Sequence, residues 1–166
     1  LRARVIEYEI LVGKTNREFV DLNRTESQNH EWFDKVREVF AKATIHIDIH
    51  SFPHRDETAT DEESMTSTGY DLREWGLADI VLFRTPEITD NQFLDDIDSR
   101  LQEIGISVGI EEGGFENYVH ALASVLFDLP SLVVELNEGS SKEFDAIADR
   151  VADSLENYLS EPAAEV

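Results

Sequence analysis

The chain has 166 residues and no cysteine, and its 36 acidic side chains against 14 basic ones give a net charge of -22. One domain of ordinary size is expected, and disulfides, thiolate metal sites and cysteine catalysis are excluded. So strong a negative field repels phosphate backbones and anionic headgroups, which makes nucleic acid and membrane surfaces unexpected partners, and no apolar run approaches the roughly 18–20 residues of a membrane span.

Arg4 to Val12 mixes β-branched and aromatic residues with alternating Glu7 and Glu9, the pattern of a strand with one wet face. Gly13 to Asn16 is a turn, and Glu18 to Asn23 is short and extended or irregular. Asn29 to Ala43 places Trp32, Phe33, Val36, Val39 and Phe40 at helical spacing, with Asn29 as the N-cap. Thr44 to Phe52 alternates Ile45, Ile47 and Ile49 with His46, Asp48 and His50 and is the clearest strand; Pro53 ends it. His54 to Gly69 is polar and acidic and reads as a long loop.

Asp79 to Phe83 is a buried strand, and Asp90 to Ile104 a helix ended by Gly105. Ile106 to Ile110 is a strand, followed by a tight loop at Glu111 to Gly114. Glu116 to Phe127 is helical, Ser131 to Leu136 a central strand, and Ser140 to Leu159 a final helix, after which Glu161 to Val166 frays. Strands alternating with helices imply an α/β domain whose sheet is covered on both faces. Trp32, Trp75, Phe83 and Phe144 are most simply core.

Three places could carry chemistry. On a strand, residues 46, 48 and 50 share one face, and buried polar groups must be paired or bound to something. His46 and His50 lie about 13 Å apart along a strand, too far to share an ion at zinc–nitrogen distances of about 2.0–2.1 Å. Only one of them is expected as a metal ligand. His50 is chosen, because it lies nearer the carboxyl end, where open α/β sheets bind ligands. A hydrogen-bonded core histidine is the alternative. Asn23-Arg24 offers a planar fork and an amide to grip a carboxylate, although a surface arginine has the same look. Glu135, in the apolar run Leu132 to Leu136, would be desolvated and suited to general-base work, unless it points outward at the strand's end.

These segments, in this order, resemble the N-formylglutamate amidohydrolase family. Val20-Asp21-Leu22-Asn23-Arg24 is similar to its Val-Asp-Leu-Asn-Arg segment, and Asp48-Ile49-His50-Ser51-Phe52-Pro53 to its Asp-x-His-Ser-hydrophobic-Pro segment. Asp79 to Leu82, Val108 to Gly114 and Leu132 to Leu136 resemble its later strands, so the likeness runs from about residue 16 to residue 160. The resemblance implies a three-layer αβα fold with a mixed central sheet, like the zinc-dependent exopeptidases. It also implies a zinc cofactor held by His50, with Asp48 and Ser51 orienting the metal shell. Asn23 and Arg24 would bind the substrate carboxylate, and Glu135 would activate water and protonate the leaving amine.

The family takes its other metal ligands from a histidine-containing segment well upstream of the Asn-Arg pair. Here no histidine precedes His30 and only 22 residues precede Asn23. The expectation is therefore a single amidohydrolase-like domain over residues 1–166, incomplete at its N-terminus relative to the family. The start at Leu1 rather than Met points to processing or missing residues. A local substitute, His54-Arg55-Asp56-Glu57, spells His-x-x-Glu but lies out of family order.

The leading function is zinc-dependent hydrolysis of an amide bond in an N-acyl amino acid or similar carboxylate-bearing small molecule. The alternative is a catalytically inactive relative used for binding or structural assembly, in a virion or other large complex, with protein partners. Acidic residues are dispersed, and ten arginines outnumber four lysines, a balance expected of a protein in concentrated salt, where charge is screened. The location expected is the cytoplasm or a soluble assembly.

Overall fold

The structure is a computed structural model that describes residues 29–55, 58–66, 69–86, 89–113, 118–140 and 144–160. The strand expected over Arg4 to Val12, the turn and the Asn23-Arg24 segment after it, and the C-terminal tail lie outside these residues.

Six helices and four strands occur among the described residues, in the order α1 (Trp32–Phe40), β1 (His46–Phe52), α2 (Asp61–Ser64), α3 (Leu72–Trp75), β2 (Ile80–Arg84), α4 (Asn91–Glu103), β3 (Val108–Glu112), α5 (Tyr118–Phe127), β4 (Ser131–Asn137) and α6 (Phe144–Tyr158). The strands form one sheet in the order β1-β4-β2-β3. β1 runs parallel to β4 and β2 parallel to β3, while β2 and β4 are antiparallel. The domain is α/β with a mixed sheet, as expected. Because the two pairs run in opposite directions, the carboxyl ends of β1 and β4 lie at one edge of the sheet and those of β2 and β3 at the other.

Strand alternation divides the side chains between two faces. Ile80 and Leu82 of β2 with Leu132 and Val134 of β4 pack against Phe93, Leu94, Ile97 and Leu101 of α4 and Ile147 of α6. That face holds the larger core, with Ser51, Arg84 and Glu112 at its margins. Asp90 caps α4 by accepting from the Phe93 N–H at 3.0 Å, and it also accepts from the Tyr158 hydroxyl of α6 at 2.8 Å. The opposite face is divided. At one end Phe52, Trp75, Val81, Phe83 and Val133 cluster; toward the other, α5 lies across β1 and β4 and packs Val119, Leu122 and Ala123 against Phe33, Val36 and Phe40 of α1.

Three local expectations are corrected, and one helix is added. The cap of α1 is Glu31 rather than Asn29, and the Trp32 N–H donates to His30 Nδ1 at 3.2 Å, so an imidazole satisfies a first-turn donor that the Asn was expected to take. The segment His54 to Gly69 is not loop throughout. It contains α2, where the Glu63 carboxylate accepts from the Thr60 N–H at 2.9 Å and its hydroxyl at 2.8 Å, and Met65 bridges Asp71 at the entry to α3. A one-turn helix has too few residues to show apolar periodicity, but Thr60-x-x-Glu63 is a capping box in the sequence itself. Leu72–Trp75 adds a further one-turn helix, with Asp71 accepting from the Arg73 N–H. Last, Glu111 and Glu112 belong to β3, not to a loop. Their charges find partners there: the Trp75 indole N–H donates to Glu111 at 3.1 Å, and Arg84 pairs with Glu112 at 3.3 Å.

Candidate functional site

β1 is seven residues long, and its even-numbered side chains face α5 and the aromatic cluster while the odd ones face the main core. His50 and Asp48 therefore stand together, and the His50 imidazole Nε2 lies 3.1 Å from Asp48 Oδ1. An ionised carboxylate only accepts, so Nε2 carries the proton in this pair and, in the neutral ring, Nδ1 keeps its lone pair. This is the arrangement in which a carboxylate orients a ligating histidine.

Glu135 is the register partner of His50 on the parallel neighbour β4, and Val81 is its partner on the other side. Glu135 is partly buried and shares a sheet face with His50 and Val81, at the carboxyl ends of β1 and β4. Asn137 follows two residues later on this face; its amide donates to the Ala78 carbonyl at 2.8 Å and its Oδ1 accepts from the Gly139 N–H at 2.9 Å. The turn after β4 is thereby fixed beside Glu135.

Of the residues expected from the sequence, His50, Asp48 and Glu135 are brought together. Ser51 is not: it alternates to the opposite face, where its hydroxyl donates to Glu138 at 2.8 Å. Asn23 and Arg24 lie outside the described residues, as do Asp56 and Glu57 of the His-x-x-Glu segment. Among the described residues no group of three or more His, Cys, Asp or Glu side chains is spaced to hold a metal ion. His50 with its oriented carboxylate suits one position of a zinc shell, yet a catalytic zinc takes three protein ligands. The described donors do not complete one.

A second polar centre, not anticipated from the sequence, occupies the same face at the other edge of the sheet. Ser131, at the start of β4, is buried; its Oγ lies 2.7 Å from His46 Nδ1 and 2.6 Å from Nδ1 of the buried His120 on α5. His120 Nε2 is 2.8 Å from Thr85 Oγ1, and the Thr85 hydroxyl donates to the Gly113 carbonyl at 2.5 Å. Burial pushes the His120 imidazole down to about 4, with His46 adding to the effect and Asp48 opposing it. Burial likewise holds His46 below the ordinary histidine range, against the pull of Asp48. The Ser131–His120 distance is that of a nucleophile and its base, but Ser131 is closed off from solvent and its hydroxyl is engaged by both rings. The available signal was His120 itself, a histidine in the otherwise apolar turn Tyr118–Leu122, followed eleven residues later by the first residue of an apolar strand.

No family model matches the chain, and no curated protein matches it. Among solved structures, it is similar to the gene product Atu2144 from Agrobacterium tumefaciens, with a TM-score of 0.48 and 14% identity over 78% of this chain and 51% of that one. It is also similar to the N-formylglutamate amidohydrolase from Ralstonia eutropha JMP134, with a TM-score of 0.48 and 17% identity over 80% of this chain and 53% of that one. The chain spans about half the length of these structures.

Proposed function

We propose that this chain carries part of the active centre of an amide hydrolase of the N-formylglutamate amidohydrolase kind, acting on an N-acyl amino acid. The observation that carries the reading is the His50–Asp48 pair set in register beside Glu135 at the carboxyl ends of two parallel strands. The sequence resemblance assigns the same residues their roles.

In this reading Glu135 takes a proton from water as the water oxygen bonds to the amide carbonyl carbon. When the carbon–nitrogen bond breaks, Glu135 returns that proton to the departing amine, and a carboxylic acid and an amine result. Asn23 and Arg24 grip the substrate's own carboxylate. Asp48 holds His50 in one orientation, with Nδ1 as the ligating atom. A zinc ion held by His50 would supply Lewis acidity and a water of lowered pKa; the described residues furnish only part of its shell.

The test is hydrolysis of N-formyl and N-acetyl amino acids with zinc content measured in parallel. Glu135→Gln is expected to retain metal and lose at least about 100-fold in kcat. His50→Ala is expected to lose both metal and activity. A wild-type protein that neither binds zinc nor cleaves these amides would sink the proposal.

A second reading follows from the short donor set among the described residues: a relative that kept the fold for binding or assembly. That reading expects no metal in either the wild type or His50→Ala, with unchanged stability in Glu135→Gln.

A further inference from the structure

The segment that leaves β1 crosses the carboxyl edge of the sheet along a fixed path. A Cβ at Gly139, in the turn after β4, would collide with His54 Cβ, and one at Gly76, which ends α3, would collide with the Arg55 carbonyl. Both glycines leave room for the backbone to approach closely. Arg55 ties the crossing further, donating from Nη1 to the His54 carbonyl at 3.0 Å and from Nε to the Glu63 carbonyl at 3.1 Å. The His54 side chain is nevertheless exposed, and its Nδ1 lies 3.5 Å from the Asn137 amide nitrogen. Two other bonds set the orientation of that amide, because the Ala78 carbonyl only accepts and the Gly139 N–H only donates. Asn137 Nδ2 is therefore a donor toward His54, so Nδ1 accepts and the neutral ring carries its proton on Nε2. His54 Nε2 meets no partner among the described residues.

A donor held in place at the carboxyl edge, with nothing of the protein to bond, is suited to a ligand. Asn137 stands two residues beyond Glu135 on the same strand face, an advance of about 6.6 Å. In an N-acyl amino acid three bonds of about 1.3–1.5 Å join the amide carbon to the α-carboxylate carbon. A hydrogen bond of about 2.9 Å beyond the carboxylate reaches a donor about 7 Å from the amide carbon, which matches that advance. We infer that His54 is a substrate-binding residue: its Nε2–H donates to the α-carboxylate of an N-acyl amino acid whose amide lies at Glu135, and Asn137 is the residue that positions it. A carboxylate has about four lone-pair sites, so this contact adds to those of Asn23 and Arg24. The choice of ligand rests on the function proposed above, whereas the tautomer of His54 does not. Asn137 acts through His54 and touches no reacting atom.

The experiment pairs kinetics with a long-range proton–nitrogen correlation spectrum of the full chain labelled with ¹⁵N-histidine. The substrates are N-formylglutamate and its α-carboxamide, and the variants are His54→Phe, which keeps the ring and loses the donor, and Asn137→Asp. Wild-type His54 should be protonated at Nε2. His54→Phe should raise KM for N-formylglutamate about tenfold, as for a lost hydrogen bond to a charged group, with kcat kept and KM for the carboxamide unchanged. Asn137→Asp turns the partner of Nδ1 into an acceptor, so the proton should move to Nδ1 and the same rise in KM should follow. Should Asn137→Asp fail to fold, His54→Phe, altered only at an exposed side chain, carries the test. A wild-type His54 protonated at Nδ1, or a His54→Phe change that is equal for both substrates or falls on kcat alone, would overturn the inference. A wild type that cleaves neither substrate counts against the hydrolase reading. The carboxylate site is then decided by titration: a His54 Nε2–H signal moved by N-formylglutamate and not by the carboxamide supports it, and a signal moved by both or by neither refutes it.

Discussion

His120 shows how burial changes the meaning of a residue. An exposed histidine titrates near 6.5, but this one is held at about 4 because charging it within α5 and the sheet costs desolvation. Between pH 6.5 and about 4 the unfolded chain binds a proton at this position and the folded chain does not. Stability is therefore full above pH 6.5 and declines as the pH falls toward 4. At about 1.4 kcal/mol per unit, the whole loss is about 3 kcal/mol, and the lowered pKa of His46 acts in the same direction. Denaturant unfolding from pH 7 to pH 4 should show this slope in the wild type and a flatter one in His120→Gln. A slope unchanged by the substitution would assign the acid sensitivity elsewhere.

At the scale of elements, the helices of the main core are positioned by capping as well as by apolar contact. Asp90 both caps α4 and accepts from Tyr158 of α6, so one carboxylate ties two helices; desolvation of the Tyr158 phenol, with the bond to Asp90 adding to it, raises it to about 12. Asp90→Ala removes both bonds and is expected to cost about 1–3 kcal/mol, read as a lower denaturation midpoint with an unchanged m-value. Asp90→Asn keeps a capping oxygen and should recover part of the loss. The one-turn elements behave differently. α2 and α3 rest on local bonds at Thr60–Glu63 and at Asp71–Arg73, while Trp75 of α3 is anchored by the aromatic cluster and Glu111.

Across the whole molecule the net charge of -22 dominates. Ion pairs such as Arg100–Asp96, at 2.8 Å, and Arg84 with Asp95 and Glu112 neutralise only some of the carboxylates. The remaining repulsion acts over a distance that salt shortens, from about 10 Å at 0.1 M to about 3 Å at 1 M. Raising KCl from 0.1 to 2 M should therefore stabilise the fold. A gain of about 2 kcal/mol corresponds to a rise of about 4–8 °C in Tm for a chain of this size. A Tm independent of salt would show that the acidic surface carries little strain. No helix among the described residues is long and apolar enough to cross a membrane.

The sequence by itself determined the α/β class, the four described strands and the longer helices. Their apolar periods of 2 and 3.6 are local properties that need no partner to be seen. It also singled out His50, Asp48 and Glu135, because polar residues interrupting an apolar strand stand out on the page. Tertiary structure alone decided that β4 runs beside β1 in the register that pairs His50 with Glu135, and that Glu111 and Glu112 extend β3 by pairing with Phe83 and Arg84 of β2. It alone gathered Thr85, His120, Ser131 and His46, up to 85 positions apart in the chain. Hydrogen bonds between side chains distant in sequence leave no periodic trace, so a network of this kind becomes visible only when the sheet and α5 close over it.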